Sequence, residues 1–442
     1  MLRAHRHRCT GAAFLAALAL LAGCNGPAEL PSSPVRPDIA GGKPAASPSV
    51  AEASPAYGYR GDIGKLVTIT GTGFAVGAKA SWERNGVPDP EVQVVATQFV
   101  SSTQLVATIT ITSGAALDFY DIAVVNPDKK RGIGYARFEV TNAILVEGAS
   151  LIRGANEAGQ FVGSGDFSFF RLADGTLELL AGGGPWGLSD DGLTVAGGTG
   201  LSAASGDTRI WNRVGGVWQG STLPQDPAAV SHNARGGVAS DPTTGAAVVI
   251  GGVEAYPAQK GNQLSRKPRL WLASGSGWSR VVLPSPSAAS DDIVDDVTAG
   301  LVAAGTAGGQ AAIWEPNGTG WTLILLGPGS ILGLNRAGTI AAGMSNGVAA
   351  YWRKVGPAWI GPTLLPSACT KGVGVDDFER IFCANAVVLP PYSSADVRQL
   401  RGFGETVGRA NVEAISPRGS WAVGSANEHL HGGYVGAYWN IF

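Results

Sequence analysis

The sequence predicts an all-β protein, and three observations support that prediction. The 442 residues include 65 glycines and 26 prolines, only two methionines, and 15% charged residues. Apolar and polar residues alternate over short stretches that Gly, Pro, Asn or Asp interrupt, as is typical of strands joined by turns. A short phrase also recurs through the second part of the chain. We therefore expect many short strands, no long helices, and more than one domain.

Residues 1–23 have the composition of a signal peptide. Three arginines stand before an apolar stretch at 11–22, which is shorter than the roughly 20 residues that span a bilayer. The stretch ends in Leu-Ala-Gly followed by Cys24. This ending resembles the lipobox of bacterial lipoproteins, which implies cleavage before Cys24 and lipidation of that residue. Because Asn25 is not the Asp associated with retention at the inner membrane, the resemblance implies the outer membrane of a Gram-negative envelope.

Charge and cysteine content restrict the partners of the mature chain. Loss of residues 1–23 removes three arginines and leaves 29 basic against 34 acidic residues, a net charge of −5. This charge argues against nucleic acid as a partner, because phosphate binding needs a concentrated basic surface. With Cys24 lipidated, Cys369 and Cys383 are the remaining pair in an oxidising compartment, so we predict a disulfide between them.

Two segments precede the repeats. Residues 24–54 are rich in Pro, Ala, Ser and Gly and are predicted to form a tether. Residues 55–142 contain alternating strands separated by turns. The segment contains Gly58, Gly61, Gly64, Leu66 to Gly71, Phe74, Gly77, and Tyr120 to Asp128. In these residues it resembles an IPT/TIG domain, which implies an immunoglobulin-like β-sandwich with Phe74 in its core.

Residues 143–442 repeat a phrase of Ser or Asn, two variable residues, Gly, and a small apolar strand. Gly163 and Gly424 are 261 residues apart and enclose six intervals, so the period is about 43 residues. An apolar-Trp pair follows each of several copies, and a second Trp comes later. This period with recurrent Trp predicts a β-propeller of about seven blades, the third and sixth being irregular. The copies of the phrase are 155–165, 188–198, 297–305, 334–343, 375–384 and 415–424.

The repeat resembles the HAF-type extracellular repeats of bacterial surface proteins. Ser189 to Gly192 also partly resembles the Asp-box turn of sialidase-type propellers, which is a structural turn and implies no hydrolysis. A propeller closes by joining its two ends, and we expect residues 143–153 to meet the terminal strand 433–442. The segment 253–267 is predicted to be an inserted surface loop.

Most of the polar and aromatic candidates have a structural explanation. The repeated Trp residues are predicted to pack between sheets, which leaves Trp186 and Trp421, outside the series, as binding candidates. Four Asp pairs, at 190–191, 291–292, 295–296 and 376–377, are attributed to turns. His429 and His431 are assigned to an exposed loop. No catalytic, metal-binding or cofactor motif is present, so none of these sites is predicted, and the ligand-binding residues stay unassigned.

These features favour a cell-surface lipoprotein that acts as a non-enzymatic binding, adhesion or scaffold module. Its expected partners are the membrane, through the lipid, and a protein or glycan ligand at the propeller face. One alternative is a propeller-type hydrolase or lyase acting on polysaccharide. Another is a component of an envelope protein assembly. Polar residues converging on one end of the channel would favour the enzyme, whereas an exposed apolar face would favour assembly.

The lipobox generates the first testable prediction. Wild-type protein should partition with membranes, and Cys24→Ser should move it to the soluble or uncleaved fraction, because the acyl chains supply the apolar contact with the bilayer. Fractionation and the mass of the N-terminal peptide measure both effects. A wild-type N-terminus without acyl mass would contradict the prediction.

Overall fold

A computed structural model describes residues 47–199, 206–257, 264–275, 277–288, 290–400, 410–427 and 434–441. Apart from one short 3-10 helix, the regular elements of these ranges are strands, so the predicted all-β class is confirmed. The described residues contain no helix long and apolar enough to cross a membrane. Cys24, His429 and His431 lie outside the described residues.

The first domain is the predicted β-sandwich. Its core contains Trp82, Tyr120 and Phe138, and the predicted core residue Phe74 is buried with them. The sequence analysis assigned residues up to 54 to the tether, whereas β1 already begins at Ser49 and pairs with β3. One sheet has the order β1 (Ser49–Ser54), β3 (Lys65–Thr72), β7 (Gln104–Ile111), β6 (Val92–Ser101). The other has the order β2 (Tyr57–Tyr59), β9 (Arg131–Thr141), β8 (Phe119–Val125), β4 (Lys79–Arg84), β5 (Val87–Pro88).

The second domain is a propeller of seven antiparallel blades. Blade 1 contains β11 (Ala149–Ala155), β12 (Phe161–Gly165), β13 (Ser168–Arg171) and β14 (Leu177–Leu179). Blade 2 contains β15 (Gly184–Leu188), β16 (Thr194–Gly198), β17 (Thr208–Val214) and β18 (Val217–Thr222). Blade 3 contains β19 (Ser231–Asn233), β20 (Val238–Ser240), β21 (Ala247–Pro257), β22 (Leu264–Ser274) and β23 (Gly277–Val282).

Blades 4 and 5 share one long strand, so they form a single seven-stranded sheet. They contain β24 (Asp292–Val297), β25 (Ala303–Ala307), β26 (Gln310–Pro316), the shared β27 (Trp321–Leu334), β28 (Ile340–Ser345), β29 (Val348–Val355) and β30 (Ala358–Leu364). Blade 6 contains β31 (Gly372–Val375), β32 (Ile381–Cys383), β33 (Ala386–Val388), the helix η1 (Ser394–Asp396) and β34 (Val397–Gln399). Blade 7 contains β35 (Ala410–Ile415), β36 (Trp421–Asn427), β37 (Tyr434–Asn440) and β10 (Ala143–Leu145).

The propeller is closed by strand exchange between the two ends of the domain. β10 pairs antiparallel with β37, with Ile144 opposite Tyr438. This confirms the expected meeting of the N-terminal segment with the terminal strand, although only 143–145 pair there and β11 already belongs to blade 1. The innermost strands of successive blades touch all the way round, including β35 with β11 and, at Gly187 and Val238, β15 with β20. They therefore surround a central channel.

The recurrent phrase forms the turn between the first and second strands of each blade. The Ser or Asn side chain accepts a backbone hydrogen bond from the start of the second strand, as from Thr339 N–H to Asn335 Oδ1 at 2.8 Å. The fourth residue has a positive φ, which Gly adopts without strain. Leu301 and Glu379 adopt the same conformation without being glycine. Blade 3 has a longer version from Asp241 to Gly245, which the sequence analysis did not identify.

The innermost strands of six blades contain a β-bulge at the same register position, and in blade 3 the gap between β19 and β20 takes its place. In blade 4 the pairing shifts between Val294 and Asp296, so Asp295 is the extra residue. The second-strand residue opposite, Gly305, is tightly packed, and a Cβ atom there would overlap the carbonyl oxygen of Ile293. The same close approach occurs at the equivalent glycines, which are Gly163, Gly197, Gly252, Gly343 and Gly424. In six of the seven blades a Gly therefore makes room for the carbonyl of the innermost strand.

The repeated Trp residues lie on the third strand of five blades and are buried, which confirms their predicted core role. They are Trp211, Trp271, Trp314, Trp352 and Trp439. Three of them also hold the linker from the preceding blade. Trp271 Nε1, for example, donates to the Pro224 carbonyl at 2.7 Å. Because β27 runs from blade 4 into blade 5 without a linker, Trp352 Nε1 has no such carbonyl and no hydrogen-bond partner among the described residues.

Blade 6 has Val388 at the Trp position and Cys383 at the position of the bulge glycine. The predicted disulfide between Cys369 and Cys383 is present and buried. It ties the linker from blade 5 to the second strand of blade 6. Asn385 reinforces this connection by donating from Nδ2 to the Ala368 carbonyl at 2.8 Å. The disulfide and Asn385 thus hold the linker that Trp holds in blades 2, 3 and 4.

The prediction of a surface loop at 253–267 is largely wrong. β21 and β22 extend through most of it as one long hairpin, with Glu254 opposite Lys267. Glu254 is fully buried and forms ion pairs with Arg269 and Arg280. Arg266 and Lys267 of the same hairpin form ion pairs with Asp291 and Asp292, ahead of and at the start of blade 4. Residues 258–263 are outside the described ranges.

The bulge geometry generates a stability prediction. Gly305→Ala should lower the free energy of unfolding by about 1–3 kcal/mol, the usual cost of overpacking, because the added methyl group overlaps a backbone oxygen. Gly320→Ala in the same blade is the matched control, since nothing lies near its Cβ position. Urea denaturation of both variants measures the difference. Equal stabilities would contradict the packing argument.

Candidate functional site

Six bulges, and in blade 3 the gap between β19 and β20, each direct one residue into the central channel. We call these seven residues the bulge ring. All seven line one cavity of about 300 Å³, a volume suited to a small ligand or to the end of a chain. In blade order they are Arg153, Trp186, Arg235, Asp295, Leu332, Val373 and Glu413.

Trp186 is the centre of the polar side of the ring. The guanidinium carbon of Arg153 lies 4.3 Å from the centroid of the indole, and that of Arg235 lies 5.5 Å from it. Both distances are within the range of cation–π attraction, which contributes about 0.5–2 kcal/mol per contact. The two arginines come from the blades on either side of Trp186. The three side chains therefore form a continuous cationic and aromatic surface.

An acidic ring residue lies beyond each arginine. Asp295 accepts a hydrogen bond from Arg235 Nη2 at 3.1 Å. Glu413 accepts one from Asn411 Nδ2 at 2.6 Å. Burial lowers the pKa of Arg153, and the charge of Glu413 opposes that shift. The order Glu413, Arg153, Trp186, Arg235, Asp295 is thus chemically symmetric about the indole, with Leu332 and Val373 completing the ring.

Asp296 connects two blades beside the ring. Val297 N–H donates to Oδ1 at 2.8 Å, and Leu334 N–H from blade 5 donates to Oδ2 at 2.7 Å. Burial raises the pKa of Asp296 to about 7, the two backbone donors oppose that shift, and the charge of Asp295 adds to it. Asp296 therefore changes its protonation state close to neutral pH.

An ion pair crosses the channel at the end formed by the repeated turns. Arg336 Nη2 in blade 5 lies 2.7 Å from Asp190 Oδ2 in blade 2, and Arg336 Nε lies 3.7 Å from Asp377 Oδ2 in blade 6. Blades 2 and 5 stand on opposite sides of a seven-membered ring. The Arg336 side chain consequently bridges this mouth of the channel.

The sequence analysis identified only part of this site. Trp186, one of the two binding candidates, lies in the channel. Trp421 instead packs against Phe161 and Tyr438, with ring centroids 5.7 Å away in both cases. The turn interpretation is confirmed for Asp190–Asp191 and Asp376–Asp377.

For Asp295–Asp296 the turn interpretation is wrong, because both residues lie within β24. Asp292 also begins that strand. In six blades the bulge residue stands three positions before the first residue of the turn phrase. That constant spacing is a sequence signal from which the ring could have been found.

The third histidine of the mature chain, His232, belongs to the framework. His232 is buried in blade 3, where its two ring nitrogens contact the carbonyl oxygens of Gly206 and Asp226, each at 3.2 Å. Within the described part of the chain, no group of three or more His, Cys, Asp or Glu side chains is arranged to hold a metal ion. The side chains of the channel instead offer cations, carboxylates and an indole for non-covalent contacts.

Comparisons with known proteins give little further information. No protein-family model matches the sequence, and no curated protein matches it either. Among solved structures, the chain is similar to TolB from Acinetobacter baumannii, with 11% identity and a TM-score of 0.31. The similarity covers 54% of this chain and 57% of the TolB chain.

The titration of Asp296 generates a pH prediction. Its pKa is raised on folding, so the stability contributed by its proton is fully present below about pH 4 and is lost as the pH rises through about 7. Asp296→Asn removes this titration. The free energy of unfolding of the variant minus that of the wild type should therefore increase as the pH rises from about 5 to about 8.

Urea denaturation of both proteins at these two pH values measures the change. Asp166→Asn removes an exposed carboxylate from the same domain and is the matched control. A constant difference between wild type and Asp296→Asn across this range would contradict the prediction.

Proposed function

We propose that this protein is a lipid-anchored, non-enzymatic binding module of the bacterial cell envelope, with its ligand site in the propeller channel. Cys24 carries the lipid, the envelope location is the outer membrane, and the IPT/TIG-like sandwich acts as a spacer. The bulge ring is the single observation that carries the ligand-site proposal. Five of its seven residues are polar or aromatic, and all of them line one cavity.

The arrangement of the carboxylates supports binding over hydrolysis. A glycosidase needs two carboxylates with different tasks on opposite sides of the scissile bond. Here Asp295 is paired with Arg235, and both oxygens of Asp296 accept backbone hydrogen bonds. Such engaged groups hold side chains in place. Preorganised side chains reduce the entropic cost of ligand binding.

A polysaccharide hydrolase or lyase is the second candidate, and one observation favours it. Asp296 has a pKa of about 7 and stands next to Asp295 on the channel wall. A proton donor near neutral pH beside a second carboxylate is a combination that acid–base catalysis uses. This candidate requires substrate to displace the partners of Asp295.

An array of envelope glycans, peptidoglycan fragments and short peptides tests the proposal on the purified mature protein. We expect Trp186→Ala to weaken binding about tenfold or more, because the indole is the largest surface in the ring. Trp321→Ala, which removes a half-buried indole from an outer strand, is the matched control and should retain binding.

The same ligands are assayed for turnover after incubation with wild type and with Asp295→Asn. We expect each bound ligand to be recovered intact. Binding that is unaffected by Trp186→Ala would refute the channel site. Turnover that Asp295→Asn abolishes would establish the hydrolase or lyase instead.

A further inference from the structure

Most of the cationic side chains around the channel have a carboxylate partner. Arg235 is paired with Asp295, Arg336 with Asp190, and Arg153 has Glu413 nearby. Lys371, half-buried on the wall of the same cavity, forms no ion pair among the described residues. Burial raises the pKa of Asp295, and the charges of Arg235 and Lys371 oppose that shift.

Two cationic groups of the cavity have binding capacity that the protein does not use. Arg235 Nε is buried without a hydrogen-bond partner among the described residues. The Lys371 ammonium group lies on the same wall without an ion pair among them. Both groups suit a ligand that carries an anionic group.

The other side of the ring is apolar. Leu332 and Val373 come from the neighbouring blades 5 and 6 and face the cavity across from Trp186. A ligand that fills the channel has to cover this wall as well as reach the cations. An apolar side chain covers it favourably, whereas the hydroxyl groups of a sugar acid would be left without partners there.

The cavity extends from the ring to the mouth formed by the turns, where Asp190, Asn335 and Arg336 also line it. The Arg336–Asp190 ion pair crosses this mouth. The end of an extended chain needs one opening to reach the ring, whereas the middle of a chain needs an opening at both ends of the channel. With an ion pair across one mouth, a chain end therefore fits the channel better.

We propose that the bulge ring binds the C-terminal carboxylate of a peptide whose last side chain is apolar. The carboxylate contacts Lys371, Arg235 and Arg153, and the side chain packs on Leu332 and Val373. This inference rests on the proposed binding function and specifies its ligand. A sugar acid, which carries the same anionic group on a polar body, is the competing occupant.

Isothermal titration calorimetry with three small probes tests this proposal. N-acetylphenylalanine mimics the peptide end. In its carboxamide a neutral amide of similar size replaces the charged carboxylate. Glucuronate represents the sugar acid. We expect the wild type to bind N-acetylphenylalanine about tenfold or more tightly than the carboxamide, since charge-assisted hydrogen bonds are lost in the amide. Lys371→Gln should remove most of that difference. Lys79→Gln, an exposed charge-matched change in the sandwich, should preserve it.

Three outcomes would overturn the proposal. Equal affinity for the acid and its carboxamide would exclude recognition of the carboxylate. Preferential binding of glucuronate would exclude the peptide end. No binding of N-acetylphenylalanine at millimolar concentration would exclude both the recognition of the carboxylate and the binding of a peptide end. The proposed binding site is tested by a different result. It is refuted if Trp186→Ala leaves the binding of every array ligand unchanged, so a wrong ligand class can be distinguished from a wrong site.

Discussion

The structure depends on one backbone contact that recurs in the blades. A bulge in the innermost strand presses its carbonyl against the second strand, and a glycine opposite leaves the space that this contact needs. The bulge places one side chain in the channel and leaves its neighbours in the sheet. The packing of the fold and the geometry of the candidate site therefore have the same local cause.

The repeat made the blades predictable because its residues have local roles. Asn335 and Ser189 bond the backbone of their own turns, and glycine supplies the positive φ at the fourth position. These requirements act within a few residues, so they leave a visible pattern in the sequence. The copy in blade 3 escaped detection because its turn, from Asp241 to Gly245, is longer.

The ring was harder to predict because its orientation depends on pairing between strands. Asp295 and Asp296 have the composition of a turn, and their place in β24 follows only from the register with β25. The first strand was missed for a related reason. Residues 49–54 resemble the preceding tether in composition, and their pairing with β3 makes them a strand. Trp186 could be singled out because it departs from the Trp series, whereas Arg153 and Glu413 had no such contrast.

The ring residues also explain how a repetitive fold can hold a single asymmetric site. In six blades a glycine on the second strand makes room for the innermost strand, but the backbone places no comparable demand on the side chain directed into the channel. Arg153, Asp295 and Leu332 accordingly occupy equivalent backbone positions with different chemistry. Ligand chemistry can therefore vary at the seven positions with little cost to the framework. The buried Trp residues of the third strands and the Cys369–Cys383 disulfide lie away from the ring and hold the blades together independently of what the channel binds.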